Sequence, residues 1–333
     1  IGAMSAMKLE VMALNTQQNS LSLHDRLVAY LPDYAPVASS FSKILNLRNS
    51  SKIFAALSEY FAGFSAKRDL PLWRNNWFRN NEIPSYPDGQ YPIVLFVDTF
   101  NRYFEPENLR SAVRVLKNAG YYPFYPEPKQ KKQKPLCCGK THLSVGNITK
   151  AKQAADRLVE TYLPYAKKGL PIVGLEPSCL LALKDEIPSL LKTNDAKLVS
   201  KYVMTFEELL SQDKKSLNLK PLRAKALLHG HCHQKAFNVL GSVEEVLGFI
   251  KDLKVEKIET SCCGMAGSFG YSKETYDFSM KMAEKDLLPK IREADKNTIL
   301  IADGTSCRSQ IVDGSEREAI HVARLLDQQL LNN

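Results

Sequence analysis

Seven cysteines are the residues of this chain best suited to chemistry: Cys137, Cys138, Cys179, Cys232, Cys262, Cys263 and Cys307. An odd number that includes two adjacent pairs does not suit a disulfide framework, which favours separated pairs in small secreted domains. The pattern points to a reducing compartment and to thiols that bind or react. Cys232, the Cys262/Cys263 pair and Cys307 each follow an expected strand, at intervals of 30 and 44 residues. Three strand-end loops can therefore bring soft sulfur ligands to one point, where they could hold an iron–sulfur cluster or zinc. Gly264 and Gly267 in Cys-Cys-Gly-Met-Ala-Gly permit close backbone approach and can aim N–H groups at sulfide or thiolate, and Gly139 stands in the same place after Cys137 and Cys138. His231 and His233 flank Cys232 and add imidazole ligands; on an extended segment they share one face and Cys232 takes the other. A vicinal disulfide and a nucleophilic thiol beside histidine are the alternatives to metal on the same residues. His24 and His321 lie on helical segments and read as surface or packing residues.

The elements that must position these residues alternate from residue 90 onward. Strands are expected at Tyr91–Val97, Tyr121–Tyr125 and Leu170–Gly174, with helices over about 107–118 and 147–167. The series restarts with Ala224–Leu228, then a helix over about 243–253, strand Val255–Glu259, a helix over about 273–291, strand Thr298–Ala302 and a last helix over 317–330. Such alternation predicts βαβ units and parallel sheets. The chain also repeats itself. Cys-Cys-Gly recurs at an offset of 125 residues, and Cys179 and Cys307, each opening a helix after a strand, at 128. The expected organisation is a helical arm and connector over 1–88, a first α/β repeat over 89–215 and a second over 216–333, with Ser211–Ser216 as linker. In open α/β sheets sites gather at the strand C-terminal ends, so the cysteine loops should face a cleft between the repeats. In the arm, Ser22 can cap a helix through Leu31 that Pro32 and Pro36 break; Phe41, Ile44 and Leu45, then Ile53, Leu57, Tyr60 and Phe61, form stripes at helical spacing. The segment from Leu70 to Phe78 reads as an extended connector anchored by Trp73 and Trp77.

Composition sets the outer bounds. With 333 residues, 44% hydrophobic and 24% charged, the chain is globular and long enough for about two domains. No apolar stretch predicts a transmembrane helix. The opening Ile-Gly-Ala-Met-Ser-Ala-Met has neither the basic nor the apolar region of a signal peptide, which predicts a cytoplasmic location, free or peripheral at the inner face of the membrane. The net charge of +9 is dispersed apart from Lys129, Lys131, Lys132 and Lys134, which read as a solvated loop; no nucleic-acid motif accompanies them.

These motifs resemble the cysteine-rich CCG domain family, in which a full copy reads Cys, Cys-Cys-Gly, then Cys-x-x-Cys. The resemblance is closer to the C-terminal part of fused bacterial FAD/iron–sulfur oxidoreductases of the D-2-hydroxyglutarate dehydrogenase-like group. It is carried by Leu-His-Gly-His-Cys-His-Gln-Lys-Ala, Ser-Cys-Cys-Gly-Met-Ala-Gly-Ser-Phe-Gly-Tyr, Ala-Asp-Gly-Thr-Ser-Cys-Arg, Leu-Cys-Cys-Gly and Gly-Leu-Glu-Pro-Ser-Cys. The first copy has Asp98-Thr-Phe-Asn where the leading cysteine belongs, and the closing pairs are reduced to Glu176-Pro-Ser-Cys179 and Gly304-Thr-Ser-Cys307. The resemblance implies a metal-binding, electron-transfer module of a flavin-dependent D-2-hydroxy-acid dehydrogenase, not catalytically competent by itself. It implies metal ligands Cys232, Cys262, Cys263 and Cys307, joined by His231 or His233, then Cys137, Cys138 and Cys179, with Glu176 as a hard ligand. The cofactor expected here is an iron–sulfur cluster or a single iron or zinc ion; FAD and a ferredoxin-type 4Fe–4S cluster are expected on an upstream part of the same polypeptide, which is also the expected partner. A homo-oligomer is compatible with this. A non-redox docking or zinc scaffold, and a vicinal-thiol redox site, stay open beside it.

Overall fold

The computed structural model describes residues 3–86, 89–128, 134–213 and 217–331. The buried run Pro92–Phe96 forms β1, central in a four-stranded parallel sheet with β2 (Tyr122–Phe124), β3 (Ile172–Gly174) and β4 (Val203–Thr205), in the order β2-β1-β3-β4. A second parallel sheet repeats that order as β6-β5-β7-β8, from β5 (Ala224–Leu228), β6 (Leu253–Lys257), β7 (Ile299–Ile301) and β8 (Ala319–Ile320). β1 reads Pro-Ile-Val-Leu-Phe because helices cover both of its faces, whereas the edge strand β6, Leu-Lys-Val-Glu-Lys, alternates because one face meets water.

The halves meet through related helices. Helix Pro106–Asn118, which follows β1, packs on Val322–Gln329, which closes the second half; Leu240–Leu247, which follows β5, packs on Phe206–Asp213, which closes the first. These two contacts are counterparts, so the repeats are related by a pseudo-twofold and share one continuous core. Ser111 and Arg114 reinforce the first contact by hydrogen bonds to the Asp327 carboxylate, each 2.8 Å.

The arm is helical from Ala3 to Ala62, and among the described residues no helix is long and apolar enough to cross a membrane. Ser22 caps helix Leu23–Ala29 as expected. Pro32 and Pro36 do not end helical structure: a new helix spans Leu31–Ser40, with Pro32 in its first turn, where no intrahelical N–H is needed, and Pro36 inside it. The stripe on Lys52–Ala62 faces outward, with Ile53 72% and Tyr60 78% exposed; the small Ala55 is the residue that packs. Trp73 and Trp77 anchor the connector against Phe104 and Tyr103. Just before it, buried Arg68 reaches the second half and donates to Gln310 Oε1 at 2.5 Å. Ser211 to Asp213 end a helix rather than form linker, the helix expected to 253 stops at Leu247, and the last one starts at Val322 after β8. Residues 214–216 and Lys129, Lys131 and Lys132 lie outside the described residues; Lys134 pairs with Asp33 at 2.5 Å.

Candidate metal centre

In the second half, three strand ends converge as expected. β5 runs into His229, whose ring is buried; its Nδ1 hydrogen-bonds Thr260 Oγ1 at 3.1 Å, and its Nε2 has no oxygen or nitrogen partner among the described residues, with the Cys307 sulfur as its neighbour. Cys263 arrives on the loop after β6, and Cys307 in the first turn of helix Thr305–Ser315 after β7. Their sulfurs lie 3.5 Å apart, and His229, Cys263 and Cys307 present ligand atoms within 4.8 Å of one another. Cys232 and Cys262 form an outer, half-exposed pair joined by a hydrogen bond, beside the buried inner pair of Cys263 and Cys307.

The electrostatics separate the two members of each pair. Hydrogen bonds from Cys232 and Cys263, with the Gly264 N–H donating at 3.3 Å, pull the Cys262 thiol well down despite burial. Cys263 pulls Cys307 down in the same way, and His229 and His231 add to it. Cys232 and Cys263 are pushed up, each first by its hydrogen bond to Cys262. Thiolates are the metal-binding form of cysteine, so two of the four sulfurs are already biased toward it and a cation would displace the protons of the other two. The backbone is shaped to this end. Gly264 has φ +87°, and a Cβ there would lie 2.3 Å from the Ser279 carbonyl oxygen; a Cβ on Gly304 would lie 2.4 Å from His231 Cδ2 and 3.3 Å from Cys307 Sγ. Gly267 turns the same loop at φ +69° with open space around it.

The histidines divide differently from their order in the sequence. His231 is the N-cap of helix Cys232–Ala236, and its Nδ1 accepts from the His233 N–H at 3.1 Å. Burial pushes its imidazole down. The helix begins at Cys232, so the alternation expected for an extended segment stops there. His233 turns toward the first half, where Lys140 Nζ lies 2.8 Å from its Nε2 and 2.6 Å from Glu186 Oε1. His229 is the residue that sequence reasoning passed over. The signal was present, since the His-x-His alternation extends back to the last residue before the turn.

The first half repeats the frame with fewer sulfurs. Thr99 follows the N-cap Asp98 as Cys232 follows the N-cap His231, and its hydroxyl hydrogen-bonds Cys137. Cys138 links Cys137 to Cys179. The Gly139 N–H donates to Cys137 Sγ at 3.4 Å, with φ +82° and the Ala151 carbonyl oxygen 2.8 Å from any added Cβ. All three thiols are pushed up, Cys137 by its bond to Cys138 and by burial. Burial and the nearby Glu176 also raise the Asp98 carboxyl to about 7. Glu176 uses both oxygens as caps. Oε1 accepts from Ser178 Oγ at 2.7 Å and from the Ser178 N–H, while Oε2 accepts from the Thr305 N–H at 2.9 Å across the seam.

Comparison with known proteins agrees with this architecture. A cysteine-rich domain family model, CCG, matches residues 99–184 and again 226–312. One of the subunits of anaerobic glycerol-3-phosphate dehydrogenase from Escherichia coli K12 is 26% identical over 318 residues, covering 93% of this chain and 78% of that protein. D-2-hydroxyglutarate dehydrogenase from Haemophilus influenzae is 26% identical over 313 residues, and the match spans 86% of this chain but 29% of the enzyme. Lactate utilization protein A 1 from Bacillus cereus is 25% identical over 251 residues, 71% of this chain and 98% of that protein. The two matched segments, together half of the sequence, carry the cysteine loops of the two halves, and the chain therefore belongs to the cysteine-rich CCG domain family.

Proposed function

We propose that this chain is the metal- or cluster-holding, electron-transfer module of a flavin-dependent dehydrogenase acting on a D-2-hydroxy acid. The observation that carries the reading is the buried His229 ring set against the Cys263–Cys307 sulfur pair, with Cys307 as the neighbour of a nitrogen that meets no oxygen or nitrogen partner among the described residues, and with Cys232 and Cys262 beside them. A buried nitrogen whose neighbour is a weakly hydrogen-bonding thiol gains most when a cation completes it. Cys232, Cys262, Cys263 and Cys307 with His229 would hold an iron–sulfur cluster or a single iron or zinc ion, and a cluster bound there would supply one-electron storage. The chain's own part is to bias two thiols toward thiolate, aim the Gly264 N–H at sulfur and keep water from the inner pair. The substrate class rests on the Haemophilus relative, a D-2-hydroxyglutarate dehydrogenase of which this chain matches 29%. On this reading the flavin and a ferredoxin-type cluster lie on another part of the polypeptide, the chain does not turn over substrate alone, and it works in the cytoplasm.

A second role is favoured for the first half by one observation. Thr99 stands where Cys232 stands in the second half, so Cys137, Cys138 and Cys179 lack a fourth thiolate and serve as scaffold or as a zinc site.

Anaerobic reconstitution with iron and sulfide tests the proposal, read by metal content and absorption spectrum. Iron bound at defined stoichiometry, lost on Cys262→Ser or Cys307→Ser and retained on Cys179→Ser, is the expected result. No metal on the wild-type chain, or no effect of either second-half substitution, overturns it.

A further inference from the structure

Away from the sulfur pairs, the seam between the halves holds a second group of converging ligands. Glu207 comes from helix Phe206–Asp213 of the first half, Asp303 from the end of β7 and His321 from the end of β8; all three are at most 1% exposed, and their ligand atoms lie within 4.8 Å of one another. The proton on His321 can be placed. Nδ1 accepts from the Ala323 N–H at 3.0 Å, and Nε2 lies 3.2 Å from the Leu175 carbonyl oxygen, so Nε2 carries the hydrogen and Nδ1 the lone pair. Nδ1 also lies 3.6 Å from Asp303 Oδ1, so two acceptor atoms stand side by side with no proton between them. Asp303 is otherwise bonded to the Gln234 amide at 2.8 Å and the Val322 N–H at 3.1 Å. Glu207 Oε1 is buried with no partner among the described residues.

Charge at the seam is also unbalanced. Glu176, Asp303 and Glu207 are buried there, and the nearby buried cation, Arg308, is held by Glu105 at 2.8 Å.

We propose that Glu207, Asp303 and His321 form a binding site for one divalent transition-metal cation that pins the two halves together. Two carboxylates and one imidazole suit Mn²⁺, Fe²⁺ or Zn²⁺. An imidazole that donates its far N–H to a backbone carbonyl is the usual outer support of a metal-bound histidine. The 3.6 Å separation of Asp303 Oδ1 and His321 Nδ1 is close to the ~3.4 Å between two ligands of a tetrahedral ion with bonds of about 2.1 Å. The ion competes with the Ala323 N–H for the Nδ1 lone pair, and that competition tunes the affinity. The site is independent of the sulfur centre, because its donors are hard and its residues do not include a thiol.

Mn²⁺ is the probe, since thiolates bind it poorly. The whole purified chain is dialysed overnight against Mn²⁺, allowing a sealed site to load through local opening. Bound metal and the thermal midpoint are then measured. The expected result is about one Mn²⁺ per chain, a higher midpoint, and at least a ~10-fold loss of affinity in Glu207→Gln and Asp303→Asn with retention in Cys262→Ser. Should either acidic variant fail to fold, the wild-type measurements decide alone: no retained Mn²⁺ and no shift in midpoint overturn the proposal. Binding that survives Glu207→Gln but vanishes in Cys262→Ser places the ion on the sulfur centre and overturns it equally.

Discussion

Glu176 Oε2 accepts the Thr305 N–H at 2.9 Å, so a carboxylate of the first half caps the helix that carries Cys307 in the second. The cap position of that helix is Gly304, which has no side chain to offer, and Glu176 caps its own helix with the other oxygen. Replacing it by alanine uncaps two helices at once. Glu176→Ala is expected to cost about 2–3 kcal/mol, and Glu176→Gln, which keeps one acceptor oxygen, about half of that. Urea unfolding of the three proteins checks it; equal stability of wild type and Glu176→Ala would remove the shared cap from the account of the seam.

Gly304 is held small by its neighbours rather than by its backbone, whose φ of −79° is ordinary. A Cβ would press on His231 and on Cys307 Sγ. Gly304→Ala should therefore destabilise by about 1–3 kcal/mol and lower metal loading at the second-half sulfurs. Gly241→Ala is the control, since nothing lies within 4 Å of its Cβ position in helix Leu240–Leu247; it should stabilise by about 0.5–1 kcal/mol. Thermal melting and metal analysis of the two variants read the contrast.

His229 and His231, both near Cys232, should respond unequally. His229→Ala removes the nitrogen that faces Cys263 and Cys307, and is expected to weaken metal binding ~10–100-fold. His231→Asn, whose Oδ1 can accept the His233 N–H in place of Nδ1, should leave binding closer to wild type. Competition against a chelator of known affinity ranks them, and an effect of His231→Asn larger than that of His229→Ala would reverse the assignment.

Stability should fall in acid through Glu186. Burial pushes this carboxyl up, but His233 and Lys140 outweigh burial and hold it at about 2, below its ordinary 4.5. A depressed folded value means stability that is present above about pH 4.5 and lost as pH drops toward 2. Discounted for partial exposure, the contribution at pH 7 is about 1–2 kcal/mol. Glu186→Gln should lose that amount at pH 7 and match wild type near pH 2. Chemical unfolding at both pH values tests this, and a gap that widens in acid contradicts it.

The sequence carried the parts of this fold that rest on apolar runs and duplicated spacing. β1 and β5 are legible because a strand buried on both faces must be apolar throughout, and the repeat is legible because Cys-Cys-Gly needs glycine at positive φ in both halves. β4 and β8, edge strands of three and two residues, carry no apolar run like those of β1 and β5. The proline breaks were misplaced because a proline tolerated in a first turn cannot be told locally from one that ends a helix. The four second-half sulfurs could be grouped from their strand-end positions. The part of Glu176 could not, because a cap on Thr305 depends on how the halves meet. The outward stripe of Ile53, Leu57 and Tyr60 has the spacing of a packing face, and spacing alone does not say whether a neighbour is supplied.

The division of the second-half sulfurs into an outer and an inner pair sets how a metal-free sample ages in air. Cys262 combines partial exposure with thiolate character, so dissolved oxygen and peroxide reach it and Cys232 first, giving sulfenate and then a disulfide that thiols can reverse. Cys263 and Cys307 are spared until the chain opens. The shelf life of a preparation is thus written at two rates in one loop, and the oxidation state of the outer pair dates the sample before any loss of structure does.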